Sequence, residues 1–198
     1  MADFIKVTKN LEARGYKVSR FESGADAVAY LNQEIDGTTV GIGGSATVKT
    51  LQAYEALNTH NTVYWHWEQE ADAARLNAMQ TEIYLSSANA LAETGEIVSI
   101  DGKGNRVSST LFGHKKVYFL IGRNKVADTY EKAVWRARNV ASPARANQMN
   151  AQTPCAKKMD RCYDCSSPGR ICRGLVTLWG PMMGAEAEVI LINEDLGL

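Results

Sequence analysis

The chain has 198 residues, 45% of them apolar, and its 22 Lys and Arg are balanced by 22 Asp and Glu. That is enough apolar material for one buried core with a small appendage, and the charge balance leaves no global field to draw nucleic acid or an acidic membrane. The longest apolar runs, such as Val117 to Ile121, are strand-sized and too short to cross a bilayer, and the polar start from Met1 to Lys6 has no apolar leader, so the expectation is a soluble cytoplasmic protein.

Phe4, Val7 and Leu11 recur at helical spacing up to Gly15, after which Tyr16 to Phe21 alternates as a strand does. Ser23 to Asp26 opens a second helix with Ala27, Val28 and Leu31 inward. Thr38 to Ile42 predicts a short buried strand that runs through Gly43, Gly44 and Ser45 into a helix over Thr47 to Leu57. Thr62 to Trp67 is rich in β-branched and aromatic residues and predicts the next strand. The alternation of helix and strand points to an α/β fold, a mostly parallel sheet flanked by helices and joined by right-handed crossovers.

Further on, the pattern predicts a helix over Ala71 to Met79, a strand over Thr81 to Leu85 and a short helix over Ala88 to Glu93. Glu96 to Ile100 and Arg106 to Thr110 read as a hairpin around Asp101-Gly102-Lys103-Gly104-Asn105, whose glycines and Asn suit a tight turn, and the pair would join the sheet as a meander. Lys116 to Ile121 predicts a strand, and Asp128 to Arg138 a helix with Tyr130 and Val134 inward. Ser142 to Pro154 reads as a polar, alanine-rich connector. Ala187 to Ile192 returns as a strand that completes the sheet. The expected division is residues 1–140 as the core, 141–186 as connector and cysteine-rich segment, and 187–198 as the strand that comes back to the core.

Gly41-Ile42-Gly43-Gly44-Ser45-Ala46 lies where a strand hands over to a helix, a place where backbone N–H groups can hold a phosphate or carboxylate. The run also fits the dinucleotide pattern through Gly41, Gly43 and Ala46, with Glu68 as the ribose partner, although Gly44-Ser45 looks more like a helix-capping turn. The plain structural reading stands beside both: the glycines shape a turn and Ser45 caps a helix. No organic cofactor is assigned. A second candidate loop, Ser86 to Glu96, follows another strand end and gathers hydroxyls, the Asn89 amide and two carboxylates around Gly95.

Gly43 to Thr47, taken with Ala92-Glu93-Thr94-Gly95-Glu96-Ile97-Val98 and with His114 to Val126, resembles the lactate-utilisation (LUD) domain family over about Asp3 to Arg138. The resemblance implies a sheet like that of the sugar-phosphate isomerases and coenzyme A transferases, with ligand loops at the carboxyl ends of the strands. It implies a small anionic metabolite held by Gly43, Gly44, Ser45, Thr47, Asn89, Thr94 and Gly95. Glu93 is the candidate general base or nucleophile of a stand-alone transferase, isomerase or hydrolase, with a cap or salt bridge at its own turn as the alternative. Glu96 stands where the family pattern has Thr, an extra carboxylate that could alter the anion preference.

All four cysteines fall in one stretch, Cys155, Cys162, Cys165 and Cys172, spaced Cys-x6-Cys-x2-Cys-x6-Cys. Four thiolates form a complete donor set for Zn2+ or an iron-sulfur cluster, and Lys157, Lys158, Arg161, Arg170 and Arg173 around them favour thiolates. Redox-active thiols and unrelated buried thiols are the alternatives, and a reducing cytosol argues against structural disulfides. The segment lies beyond the part that resembles the LUD family, so the resemblance assigns it no role. Because LUD proteins work alongside iron-sulfur partner proteins, such partners, a redox or docking arm and a homodimer all stay open. His66 lies between Trp65 and Trp67 and, on strand alternation, points away from both indoles, towards the crevice or into a structural hydrogen bond.

Overall fold

The computed structural model describes residues 4–198; Met1 to Asp3, part of the polar start, lie outside the described residues. The first half runs α1 (Ile5–Ala13), β1 (Lys17–Phe21), α2 (Gly24–Glu34), β2 (Thr39–Ile42), α3 (Ala46–Thr50), α4 (Ala53–Leu57), β3 (Thr62–Trp65), α5 (Ala71–Ala78) and β4 (Ile83–Ser86). It continues through β5 (Ala90–Ala92), β6 (Ile97–Asp101), α6 (Asn105–Leu111), β7 (Lys116–Gly122) and β8 (Val126–Ala127). The chain ends with α7 (Tyr130–Arg136), α8 (Ser142–Gln148), α9 (Pro154–Lys158), β9 (Gly174–Leu178) and β10 (Glu186–Ile192).

Six strands form one wholly parallel sheet in the order β1-β10-β7-β4-β2-β3, so the last strand of the chain inserts between the first and the seventh. Helices cover both faces, as an all-parallel sheet requires. Strand alternation divides the core accordingly. Ile190 and Ile192 of β10 and Leu120 of β7 face Ala27, Leu31, Val48 and Leu57 from α2, α3 and α4. Val189 and Leu191 with Phe119 and Ile121 face Val7 and Leu11 of α1, together with Leu91, Ile97 and Leu178 from a second sheet. That second sheet has four strands in the order β8-β5-β6-β9, and its far side packs Ala90, Ala92 and Val98 on Ala133 and Ala137 of the segment begun by α7. The α/β architecture with a parallel sheet between helices is the one expected from the alternation of elements.

Several local expectations are corrected. Thr47 to Leu57 is two helices, because Gln52 takes a left-handed conformation at φ 54° that breaks the run. Ala88 to Glu93 is not a helix: Ala90 and Ala92 are fully buried in β5, where pairing with β6 and close approach to α7 outweigh alanine's helical propensity. The expected hairpin fails at its second arm, which is α6. Asp101 is the reason: one carboxylate oxygen accepts from the N–H groups of Gly102 and Gly104, the other from that of Val107, so it ties up the first turn of a helix. Strand β6 therefore pairs with β5 and β9 in the smaller sheet and joins no meander of the main one.

The expected connector over Ser142 to Pro154 is largely helical as well. A wide π-type turn over Ala137–Ala141 leads from α7 directly into α8, and Ala141 and Ala146 are buried along it. Strand β9 gave no clear pattern because its outer residues Gly174 and Leu175 are exposed. From Met159 to Arg173 the backbone is irregular, and among the described residues no helix is long and apolar enough to cross a membrane.

Candidate functional site

Three neighbouring strands, β2, β4 and β7, end side by side, and the loops that follow them enclose a cavity of about 470 Å3. This is the crevice at the carboxyl ends of a parallel sheet, where open α/β folds bind ligands, and its size suits a small metabolite. Gly44 and Ser45 line it from the β2 loop, Ser87 to Asn89 from the β4 loop and Lys125 from the turn after β7. Arg170 to Arg173 of the cysteine segment close the opposite wall. Seven lining side chains are Arg or Lys and a single one, Asp101, is acidic, so the cavity wall is strongly cationic although the chain as a whole is balanced.

Lys125 joins the three loops. It is 3% exposed, and its Nζ donates to Thr47 Oγ1 at 2.7 Å, Ser87 Oγ at 2.9 Å and the Ala88 carbonyl at 3.2 Å. Burial, reinforced by Arg136 and Arg106, brings its pKa down to about 7. Arg106 forms part of the floor and donates to the carbonyls of Ser87 and Ile100, to Ser99 Oγ and to Asn89 Oδ1. Its carboxylate neighbour, Asp101, lies at 4.0 Å. Burial lowers its pKa as well, the Asp101 charge opposing that shift.

The β3 end supplies an aromatic wall. The strand stops at Trp65 because the Gln69 side chain accepts from the Trp65 N–H and donates to the Val63 carbonyl, taking over its edge hydrogen bonds. The alternation expected through Trp67 is thereby lost. Trp65 is buried in the core, while His66 and Trp67 both line the cavity, and the guanidinium of Arg145 lies 5.1 Å from the Trp67 ring. Burial, then the charges of Arg75, Lys103 and Arg145, lower the His66 pKa, with the Asp101 charge opposing them.

The residues singled out from the sequence separate into three groups. Gly44, Ser45 and Asn89 line the cavity; Gly43 and Thr47 stand directly behind it. Gly43 is required there, since a Cβ would come within 2.6 Å of the Tyr84 hydroxyl and 2.8 Å of Arg106 Cγ. Ser45 caps α3 by accepting from the Val48 N–H, as the capping reading had it. Thr47 is held by Lys125.

Glu93, Thr94 and Gly95 are elsewhere, in the turn between β5 and β6 beside α1. Glu93 accepts from Lys6 Nζ at 2.7 Å, Thr94 donates to Glu96, and Glu96 pairs with Arg14. Gly95 takes φ +97°, the positive angle that this tight turn needs. None of the three lines the cavity. The extra carboxylate of Glu96 thus serves an ion pair with Arg14 at the end of α1 and does not line the cavity.

The four cysteines are free and half-buried, and they are not gathered: among the described residues no group of three or more His, Cys, Asp or Glu could hold a metal. Cys155 contacts Thr153 Oγ1, Cys162 accepts from the Asp164 N–H, and Cys172 reaches the cavity wall. As arranged, the thiols do not fit a four-thiolate zinc or iron-sulfur site, because Arg170 holds the loop by donating to the carbonyls of Cys165 and Cys172 and to Asp164. The segment instead closes the cavity, with the Arg173 N–H donating to the Asp101 carbonyl.

Sequence reasoning missed Lys125, Arg106, Arg145 and Arg75 as site residues. Lys125 follows directly on a long buried strand, in Gly122-Arg123-Asn124-Lys125, and a cation at the carboxyl end of a central strand is the one signal that could have marked it.

The sequence model of the LUD domain matches residues 5–192, so the cysteine segment lies within the family's span and not beyond it. A solved structure, that of a DUF162 family protein from Deinococcus radiodurans, superposes with a TM-score of 0.57 over 94% of both chains at 11% identity, a likeness of fold. No curated protein matches the chain. With its parallel sheet, its carboxyl-end cavity and a family match along nearly its whole length, the chain belongs to the LUD domain family.

Proposed function

We propose that this protein serves lactate-utilisation-type organic-acid metabolism by holding a small anionic metabolite in the cavity at the ends of β2, β4 and β7. The observation that carries the reading is the excess of seven Arg and Lys side chains over one acidic side chain around a 470 Å3 cavity in a chain of zero net charge. Arg106 and Lys125 are spent on the protein's own carbonyls and hydroxyls and set the floor. Arg145, over the Trp67 ring with one nitrogen donating to the Gln148 side chain, and Lys103 stand at the wall with donors left to meet a carboxylate or phosphate. Family membership supports the organic-acid role. Iron-sulfur partner proteins would supply the redox step that a ligand-holding component does not itself perform.

Thermal-shift measurements with a panel of mono- and dicarboxylates, inorganic phosphate and neutral sugars test it. A ligand at about a hundred times its Kd stabilises the folded state by about 2.7 kcal/mol. Stabilisation by anions and none by neutral sugars of the same size is expected. An equal response to both classes would remove the reading.

A further inference from the structure

Lys125 differs from the other cations of the cavity. It is buried to 3% exposure, and all three of its hydrogen bonds go to neutral acceptors, two hydroxyls and a carbonyl. A lysine that served only to fasten three loops would be matched by a carboxylate, because an uncompensated buried ammonium is costly. The charged groups that bear on it, Arg136 and Arg106, are of its own sign. Burial among like charges with no carboxylate disfavours the ammonium form, and the free amine, the form that attacks carbonyl carbon, keeps all three contacts by donating to Thr47 Oγ1 and the Ala88 carbonyl and accepting from the Ser87 hydroxyl.

We propose that Lys125 Nζ is an imine-forming nucleophile, and that its substrate class is a small carbonyl compound bearing a carboxylate, a 2-oxo acid. This rests on the reading above that the cavity holds an anion. The carboxylate would meet the cationic wall, which sets the carbonyl carbon against the floor where Lys125 stands. The amine lone pair adds to the carbonyl carbon, the C=O π pair moves to oxygen, and a proton passes from nitrogen to that oxygen to give the carbinolamine. Loss of its hydroxyl as water, with one proton taken up, leaves the protonated imine. Thr47 and Ser87 hydroxyls, at 2.7 and 2.9 Å from Nζ, are placed to pass these protons, since a hydroxyl both donates and accepts.

A pKa of about 7 agrees with this geometry. At pH 7 about half of such an amine is free, against roughly one part in a few thousand for an ordinary lysine. Trapping should therefore be selective.

The experiment incubates the full chain with glyoxylate or pyruvate near pH 7 and adds borohydride, which reduces the imine to a stable secondary amine. Intact mass and peptide mapping then locate the adduct. One adduct per chain at Lys125, formed at least about tenfold faster than at any surface lysine and slowed by an excess of lactate, supports the proposal. Lys125→Arg should abolish that adduct and leave the slow surface labelling. No adduct at Lys125, or labelling spread evenly over the lysines, overturns it; mapping of the unaltered chain decides this even where the variant does not fold. Anion-dependent thermal stabilisation in the same samples separates the two ideas. Stabilisation without an adduct removes only the imine, and absence of both removes the anion site as well.

Discussion

Replacing Lys125 with Met takes the ionisable group out of the site while keeping an unbranched side chain of similar length. In the folded protein the amine loses its proton near pH 7, because burial opposes its charge and Arg136 and Arg106 add to the opposition. In the unfolded chain the same amine keeps its proton to about pH 10.4. Between those values the unfolded state binds more protons than the folded one, so stability rises with pH across the window. As pH falls that stability is lost, and below about pH 7 the contribution is flat. The slope approaches about 1.4 kcal/mol per pH unit, so the unaltered protein should gain roughly 2.5 kcal/mol on Lys125→Met between about pH 7.5 and 9.5. Urea unfolding of both proteins at a series of pH values measures this, and the difference between them cancels the titration of distant groups. A difference that stays constant across the window would show that Lys125 keeps its proton in the folded state. Lys125 would then not be a free amine at neutral pH.

Other outcomes follow from the same geometry. Gly43→Ala should destabilise the protein by about 1–3 kcal/mol in urea unfolding, because its Cβ meets the Tyr84 hydroxyl at 2.6 Å, whereas Gly44→Ala, with its nearest atom His66 Nε2 at 3.5 Å, should unfold like the parent. Glu93→Gln should leave anion affinity unchanged in a thermal-shift titration, since Glu93 pairs with Lys6 away from the cavity; a tenfold loss would return Glu93 to the site. In protein purified without oxygen, all four cysteines should react with a thiol reagent in the absence of chelator once the chain is unfolded. One equivalent of zinc or iron that blocks this reaction until a chelator is added would contradict the separated arrangement of the thiols.

The main sheet was legible because its strands are short apolar runs separated by strong helix signals, and burial on both faces made β7 and β10 nearly continuous in apolar residues. The Ser23 and Ser45 caps were legible for the same kind of reason: a cap acts within its own turn. Position in the sheet was not. Nothing in Ala90-Leu91-Ala92 says that it will be a buried strand: Ile97 and Val98 pair with it across the next turn, but Ala133 and Ala137, which cover it, are distant in sequence. The hairpin error came from Asp101, whose side chain caps a helix where the glycines alone suggested a turn.

The candidate site was half legible. Gly44, Ser45 and Asn89 belong to loops that could be placed at strand ends by pattern. Glu93 was misplaced because its carboxylate follows β5 in the small sheet, so its turn lies against α1 and away from the crevice. Lys125 and the arginines escaped notice because a charge count cannot show which cations converge. The cysteines drew attention by composition, yet the structure uses their segment as a wall, with Arg170 holding its carbonyls and Cys172 at the cavity surface.

The central claim is that the cationic cavity holds a small carboxylate, and calorimetric titration of the tightest-binding carboxylate from the thermal-shift panel tests it most directly. The titration compares the unaltered protein with the double variant Lys103→Gln, Arg145→Gln, whose side chains line the wall without building the floor. The account predicts one site per chain and an affinity at least about tenfold weaker in the variant, the loss expected for removing charge-assisted contacts worth about 1.4 kcal/mol or more. Equal affinity in the two proteins would contradict it.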